Sequence, residues 1–236
     1  MLFLPLKRFL LVVIATALIP SAQAVLRSEN TQAFPGEELY KAATSGSIPA
    51  IEKLLKEGTA VDALNSVGQT ALMGAVTRRQ LGAAKFLTER GADVNAQSSN
   101  EKGSHVLTLA ALYGDEETVK FLLEKGARVD VRGRNGLSPL GAVSSQGMIA
   151  MVKLLIEHGA DPNFPGIMYA IEYPEHKRLI PPLLVAAHKG YKDIVNLLLD
   201  KGVDIETVDS AGEDALMFAS RAVKFEVVQL LSLIHI

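Results

Sequence analysis

The sequence predicts an all-α fold, a solenoid of about six helix-turn-helix units stacked side by side. Two recurring patterns support this prediction. A glycine closes a helix-like apolar stretch five times along the chain, and apolar residues recur at fixed positions before it. Before Gly58, for example, Ile51, Leu54 and Leu55 stand seven, four and three residues away. Self-similarity at a period of about 20 to 50 residues is typical of repeat architectures.

The stretches that end in glycine are predicted to be the second helix of each unit. Apolar residues at positions i, i+3 and i+4 share one face of a helix, and glycine readily adopts the left-handed conformation that ends one. Thr88 is the one polar residue at these apolar positions. The glycines stand at intervals of 33, 35, 33 and 43 residues and are Gly58, Gly91, Gly126, Gly159 and Gly202.

An upstream stretch is predicted to be the first helix of each unit, because a leucine is followed at helical spacing by small residues. Small residues let two helices approach closely, and one helix pair alone cannot bury its apolar face. The pattern therefore predicts that the pairs stack. Its members are Leu39/Ala42/Ala43, Leu72/Ala75, Leu107/Ala110/Ala111, Leu140/Val143, Leu183/Ala186/Ala187 and Leu216/Ala219.

Short motifs recur at the helix starts and after the helix ends. The starts are GQTAL at 68–72, GLSPL at 136–140 and PPL at 181–183. The ends are GADVN at 91–95, GARVD at 126–130, GADPN at 159–163 and GVDIE at 202–206. Together these motifs resemble the ankyrin repeat, whose unit has a Thr-Pro-Leu-His-like helix start and a second helix followed by Gly-Ala-Asp-x-Asn.

The resemblance implies an ankyrin-repeat domain over residues 34–231, with units starting near residues 34, 66, 101, 134, 179 and 210. It also implies turns or hairpin-like fingers between the units. The histidine that usually follows the leucine is absent, which removes the side chain that makes hydrogen bonds between turns in the family. In its place stand Tyr40, Met73, Thr108, Gly141, Leu184 and Met217.

A longer insertion, residues 164–180 (FPGIMYAIEYPEHKRLI), lies between the fourth and fifth units and adds about ten residues to the link. It contains Phe164, Met168, Tyr169 and Tyr173. One interpretation is a protruding, aromatic-rich segment that anchors a partner. The other is that the insertion folds back and buries these side chains between neighbouring units.

Residues 1–24 have the three parts of a secretory signal peptide: a positive start at Lys7 and Arg8, the apolar run Phe9–Ile19, and the ending Ala22-Gln-Ala24. The apolar run is shorter than the roughly 20 residues that a membrane-spanning helix needs. We expect cleavage after Ala24, a linker over residues 25–33, export to the bacterial periplasm, and no membrane span after cleavage. An uncleaved membrane anchor is the alternative.

The last residues depart from the repeat pattern. Val227, Val228, Leu230 and Leu231 follow the second-helix spacing, but residues 232–236 do not. The end of the chain, LSLIHI at 231–236, also matches a translated adaptor used to prepare sequencing libraries. We expect residues 232–236 to be non-native, with Leu231 fitting either origin; the alternative is a native end.

The composition and the motifs argue against catalysis. With 24 Lys and Arg against 26 Asp and Glu, a net charge of -2 and no Cys, the sequence excludes a disulfide scaffold, a thiol nucleophile and a strongly basic nucleic-acid binder. None of the five His forms a metal-ligand pair on one helix face. We expect no enzyme, cofactor or metal; the remote alternative is a hydrolase that uses His176 with Glu175 or Glu172.

The resemblance implies a binding surface made of turn residues and of the two residues after each small-residue pair. We expect a monomeric, non-catalytic module that binds a protein and regulates, protects or inhibits it. The alternative is a scaffold that bridges envelope proteins. The candidate contact residues, including those of the insertion, are Arg78, Lys102, Leu112, Tyr113, Arg134, Asn135, Gln146, Met168, Tyr169, Tyr173, His188, Lys189 and Arg221.

Overall fold

The computed structural model describes residues 34–168 and 178–234, which contain twelve helices and one two-stranded hairpin. The helices form six pairs, as the sequence predicts. The first helices of the pairs are α1 (Glu37–Thr44), α3 (Ala71–Thr77), α5 (Val106–Tyr113), α7 (Pro139–Ser145), α9 (Pro182–Lys189) and α11 (Ala215–Arg221). The second helices are α2 (Ile48–Lys56), α4 (Leu81–Glu89), α6 (Glu116–Glu124), α8 (Ile149–Glu157), α10 (Lys192–Asp200) and α12 (Phe225–Ile234).

The pairs stack into a solenoid in which each helix contacts its counterpart in the next unit. The first helices form one row and the second helices form another, and contact is more extensive within the first row. One hydrophobic core runs through all six units. The all-α solenoid predicted from the sequence is therefore confirmed.

The core consists of the leucines and small residues of the two recurring patterns. In the first unit Leu39 and Ala43 are fully buried, and Ile51 of α2 is buried against them. Burying a leucine or isoleucine contributes about 1.5 to 3 kcal/mol to the stability of a fold. Thr88, the polar departure, is accommodated because its hydroxyl donates to the carbonyl oxygen of Ala84 at 2.8 Å.

The glycines end the second helices in the left-handed conformation that the sequence predicts. Gly126 has a φ of +85° and its amide donates to the carbonyl of Leu123, while the amide of Ala127 donates to the carbonyl of Leu122. This pair of bonds is the Schellman motif, which satisfies carbonyl groups left over at the helix end. The same two bonds recur after Gly58, Gly91, Gly159 and Gly202.

The motif after each glycine is held by its own acidic side chain. The carboxylate of Asp93 accepts a hydrogen bond from the amide of Asn95 at 2.8 Å. Asp161 and Asp204 make the same contact two residues downstream, at 2.9 and 3.0 Å. These acids therefore stabilise the turn.

The last residue of the motif links one unit to the next. Asn95 accepts from the amide of Arg128 at 2.8 Å and donates to the carbonyl of Gly126 at 3.1 Å. Asp130 stands at the same place one unit later and accepts from the amide of Asp161 at 3.2 Å. Asp62 likewise accepts from Asp93 one unit earlier. We call this row of side chains, Asp62, Asn95 and Asp130, the inter-unit ladder.

The insertion between the fourth and fifth units begins and ends in an antiparallel hairpin of β1 (Gly166–Met168) and β2 (Arg178–Ile180). Ile180 is buried in the core, and the guanidinium of Arg132 lies 4.8 Å from the ring centre of Phe164. This part of the insertion therefore packs against the solenoid. Five residues singled out in the insertion lie outside the described residues: Tyr169, Glu172, Tyr173, Glu175 and His176.

The two ends of the chain are described in part. Residues 1–33, which include the predicted signal peptide and linker, lie outside the described residues, as do residues 235–236. Helix α12 continues through Ile234, past the point where the second-helix spacing stops, and leaves Leu233 and Ile234 exposed at 66% and 49%. Among the described residues, no helix has the length and apolarity to cross a membrane.

Two non-glycine residues in the described part of the chain have a positive φ, Arg79 at +57° and Val223 at +54°. Each lies between the first and second helix of its unit, where Gly147 and Gly190 stand in the fourth and fifth units. A left-handed conformation is costly for a side chain with a Cβ, and most costly for a β-branched one. Val223 is therefore a strained position in the sixth unit.

We predict that Val223→Gly raises the free energy of unfolding by about 1 kcal/mol, because it relieves this strain. Val223 is 84% exposed, so removing its side chain sacrifices little buried surface. Urea denaturation of the two proteins measures the change. The converse substitution, Gly190→Val, is the control and is expected to destabilise. A Val223→Gly protein no more stable than the parent would contradict the prediction.

A second prediction concerns the inter-unit ladder. Burial raises the pKa of Asp130 above its ordinary value of 3.8, and the nearby charge of Asp161 raises it further, against the opposing effect of the backbone hydrogen bond. The folded state therefore binds the proton more tightly than the unfolded state does. Asp130 in consequence lowers stability progressively as the pH rises from about 4 through its folded pKa, and the penalty is complete at neutral pH.

We predict that Asp130→Asn raises the free energy of unfolding by about 0.5 kcal/mol at pH 7, with the gain shrinking as the pH falls toward 4. The amide oxygen still accepts from the amide of Asp161, as Asn95 does from Arg128. Urea denaturation across this pH range measures the effect. The reverse change, Asn95→Asp, is the control and is expected to destabilise at pH 7. A gain that did not depend on pH would contradict the electrostatic cause.

Candidate interaction surface

A groove with a volume of about 740 Å³ runs across the first helices and the turns of the N-terminal half of the solenoid. One wall is formed by side chains of α1, α3 and α5, namely Tyr40, Thr77, Leu109, Leu112 and Tyr113. The other wall is formed by the turns that precede α3, α5 and α7, through Gln69, Asn100, Glu101, Lys102, Ser104, Asn135 and Leu137. The groove therefore combines apolar, amide and charged groups from several units.

The helix wall is centred on the end of α5. Residues 106–111 of this helix are buried in the stack, while Leu112 is half-buried and Tyr113 is 51% exposed. The carbonyl oxygen of Tyr113 accepts a hydrogen bond from Nε of Arg79 at 2.9 Å. Because Arg79 belongs to the preceding unit, this bond fixes the end of α5 relative to α3.

The turn wall is held by hydrogen bonds that join one turn to the next. Asn100 accepts from the amide of Gly103 and donates to the carbonyl of Val67 in the preceding turn, at 3.1 and 3.2 Å. The guanidinium of Arg134 donates to the carbonyl of Ser99 at 3.1 Å. Arg134 therefore braces two turns, and its side chain is part of the wall's framework.

Tyr40 closes one end of the groove and depends on a glycine in the next unit. Its hydroxyl donates to Oε1 of Gln69 at 3.1 Å. A Cβ atom at Gly74 would lie only 2.9 Å from the Tyr40 ring and from the Thr44 methyl group. The absence of a side chain at position 74 is therefore what lets the tyrosine ring lie against α3.

A second cluster lies in the fifth and sixth units. The rings of His188 and Phe218 meet edge to face, with centroids 6.2 Å apart. The guanidinium of Arg221 lies 5.8 Å from the Phe218 ring centre and pairs with the carboxylate of Glu213. We call these four residues the C-terminal cluster.

Comparison with known families agrees with the architecture. Models described as ankyrin repeats match residues 14–98 and 96–166, and a further ankyrin-repeat model matches residues 183–231. The chain belongs to the ankyrin-repeat family. Proteins built from these repeats are generally non-enzymatic scaffolds for protein–protein interaction, and this ankyrin-repeat chain is accordingly an interaction module.

Similar ankyrin-repeat proteins occur in animals. The chain is 30% identical over 162 residues to ankyrin repeat and KH domain-containing protein mask-1 of Caenorhabditis elegans. This match covers 69% of the chain and 6% of the mask-1 protein. It is 34% identical over 110 residues to mask of Drosophila melanogaster and 32% over 106 residues to ankyrin repeat and KH domain-containing protein 1 of Homo sapiens. These matches cover 47% and 45% of this chain, and 2% and 4% of the two relatives.

The candidate contact residues fall into several places in this ankyrin-repeat structure. Lys102, Leu112, Tyr113 and Asn135 line the groove, while Arg78 follows Thr77 beside it and Arg134 braces the turn wall. His188 and Arg221 belong to the C-terminal cluster. Gln146 is exposed after α7, Lys189 is half-buried at the end of α9, and Met168 ends β1. Tyr169 and Tyr173 lie outside the described residues.

The candidate list includes four of the twelve residues that line the groove, and five more, Gln69, Thr77, Glu101, Ser104 and Leu137, occupy the turn and helix-end positions that the resemblance implies. Sequence reasoning missed the remaining three, Tyr40, Leu109 and Asn100. The first two lie one helical turn or less before the positions that vary in the family. Residues three and four apart share one face of a helix. Tyr40 stands four residues before Thr44 and Leu109 three residues before Leu112, so this spacing would have identified both. Asn100 carries no such signal, since its role depends on how the turns meet.

His158 lies at the end of a helix and contacts its backbone. Within residues 34–168 and 178–234, no three His, Asp or Glu side chains are grouped so that they could hold a metal ion. Nδ1 of His158 lies 2.9 Å from the carbonyl oxygen of Leu154 at the end of α8. His158 therefore satisfies a backbone carbonyl in the last turn of α8.

We predict that Gly74→Ala lowers the free energy of unfolding by about 1 kcal/mol, because the clash with Tyr40 outweighs the gain in helix propensity. The matched control is Gly82→Ala, where the added methyl group would meet only Ile48, at 3.8 Å. Gly82→Ala is expected to stabilise. Thermal and urea denaturation measure both, and equal stabilisation by the two substitutions would refute the close packing of Tyr40.

Proposed function

We propose that this ankyrin-repeat chain binds a segment of another protein in the groove and thereby regulates, protects or inhibits that protein. The exposed Tyr113 beside Leu112, held in place by the bond from Arg79, is the observation that carries the proposal. Tyrosine supplies a large contact area at small entropic cost and is enriched among residues that dominate binding energy. The hydrogen-bonded turns make the groove rigid, which lowers the ordering cost on binding.

A scaffold function is the second candidate, and the C-terminal cluster favours it. In this cluster the exposed Arg221 and the half-buried His188 contact the buried ring of Phe218. They lie in the fifth and sixth units, outside the set of residues that line the groove. A chain with two separate surfaces can hold two proteins at once. The stoichiometry of the purified complex, measured by light scattering, distinguishes one partner from two.

We propose that the chain acts after export, in the periplasm of a bacterium. The support for this compartment is the sequence of residues 1–24 alone, with its positive start, short apolar run and small-residue ending. Intact-mass measurement of the protein recovered from the envelope fraction tests the proposal. A chain that begins at Val25 is expected; a chain that still contains residues 1–24 would contradict cleavage.

Site-specific crosslinking tests the groove as the binding surface. A photoreactive phenylalanine analogue at position 113 is expected to capture a partner in cells, whereas the same analogue at Lys153, exposed on α8, is the matched control. Tyr113→Ala is expected to weaken binding of that partner by about tenfold, or about 1.4 kcal/mol. A partner captured equally at both positions, or bound equally by the Tyr113→Ala protein, would overturn the proposal.

A further inference from the structure

We infer that the groove accepts an acidic protein segment that carries a bulky apolar side chain. This inference rests on the proposed function and specifies the chemistry of the partner. It follows from three features of the described residues: an apolar centre, cationic groups beside both walls, and a shortage of acids to balance them.

The centre of the groove offers apolar contact. Leu109, Leu112, Leu137 and Tyr113 line it. Leu109 is buried, whereas the other three keep part of their surface accessible. Removing apolar surface from water contributes about 25 cal/mol per Å². A leucine, phenylalanine or similar side chain of the partner is therefore the group that fits between the two walls.

Cationic side chains flank both walls, and Lys102 is the one that lines the groove itself. Arg78 and Arg79 lie at the end of α3, next to Thr77, and Lys102 and Arg134 lie on the turns opposite. Arg79 and Arg134 donate to backbone carbonyl groups, which leaves their positive charges unneutralised. Neither Arg78 nor Lys102 has a side-chain hydrogen bond or ion pair to another described residue.

Three acids follow Tyr113 in the sequence, but each has a partner of its own: Asp115 accepts from the amide of Thr118, and Glu116 and Glu117 pair with Lys120 and Lys85. Few other acids offset the four cations. Glu101 is the one acidic residue among those that line the groove. Farther along the same face, Glu37 accepts from the amide of Ser66, and Glu38 pairs with Lys41. The charge around the apolar centre is therefore positive, and it complements carboxylates placed on either side of a partner's apolar residue.

A protein segment suits this surface better than a nucleic acid. A phosphate backbone has no apolar group that could pack against the leucines of the groove. In addition, the whole chain has a net charge of -2, which repels a long polyanion. A short acidic segment meets only the local positive charge. Exposed ion pairs add little affinity each, but they steer association and discriminate against partners of the wrong charge.

Fluorescence anisotropy with defined peptides tests the inference. The probes are twelve-residue peptides with central Phe and Leu flanked by Glu, a version with Lys in place of Glu, and a version with Ala in place of Phe and Leu. Single-stranded oligo(U) serves as the nucleic-acid probe. We expect the acidic apolar peptide to bind at least tenfold more tightly than the other probes, and more weakly as salt increases.

Variants of Arg78 and Lys102 provide the decisive comparison. The double variant Arg78→Gln, Lys102→Gln is expected to bind the acidic peptide about tenfold more weakly. The double variant Lys153→Gln, Lys192→Gln removes the same charge from the second helices α8 and α10 and is expected to bind as the parent does. Unchanged melting temperatures show that both variants are folded.

Three results would overturn the inference: tighter binding of the Lys peptide, preferential binding of oligo(U), or equal weakening by the two double variants. Failure of the acidic peptide while a partner still crosslinks at position 113 would reject the charge complementarity and leave the groove as the binding surface. Failure of both experiments would reject the proposed function itself.

Discussion

Close packing of the first helices is the constraint on which the rest of this structure depends. Residues such as Ala43, Ala75 and Ala110 are fully buried where these helices meet their neighbours. Their small side chains let the first row pack more extensively than the second row. The groove lies along this tightly packed row, so the same residues that stabilise the stack also position Leu112 and Tyr113.

The inter-unit ladder adds a directional element to this packing. Apolar contact is tolerant of small shifts, whereas a hydrogen bond from a backbone amide to Asn95 or Asp130 requires one register between units. Asn95 donates as well as accepts, while the carboxylates of Asp62 and Asp130 can only accept. Asn95 therefore both accepts and donates across the junction between the second and third units.

The fold could be predicted well from the sequence because the pattern of the repeat occurs in each of six units. The glycine caps and the buried leucines follow from spacing alone, as at Gly126 and Leu122. The surface was predicted in part, since Lys102, Leu112, Tyr113 and Asn135 occupy positions that vary in the family. The support from Gly74 to Tyr40 could not be predicted, because it depends on the distance between two units rather than on the pattern within one.

Among the described residues, the extensive helix contacts between units join neighbouring units only. This arrangement has a consequence for how the protein changes over evolutionary time. The groove draws on the first four units and the C-terminal cluster on the last two. Substitutions at separated sites without shared contacts combine additively. Substitutions can therefore change the ligand of one surface while the other surface is conserved. Selection can act on the two surfaces of the single chain nearly independently.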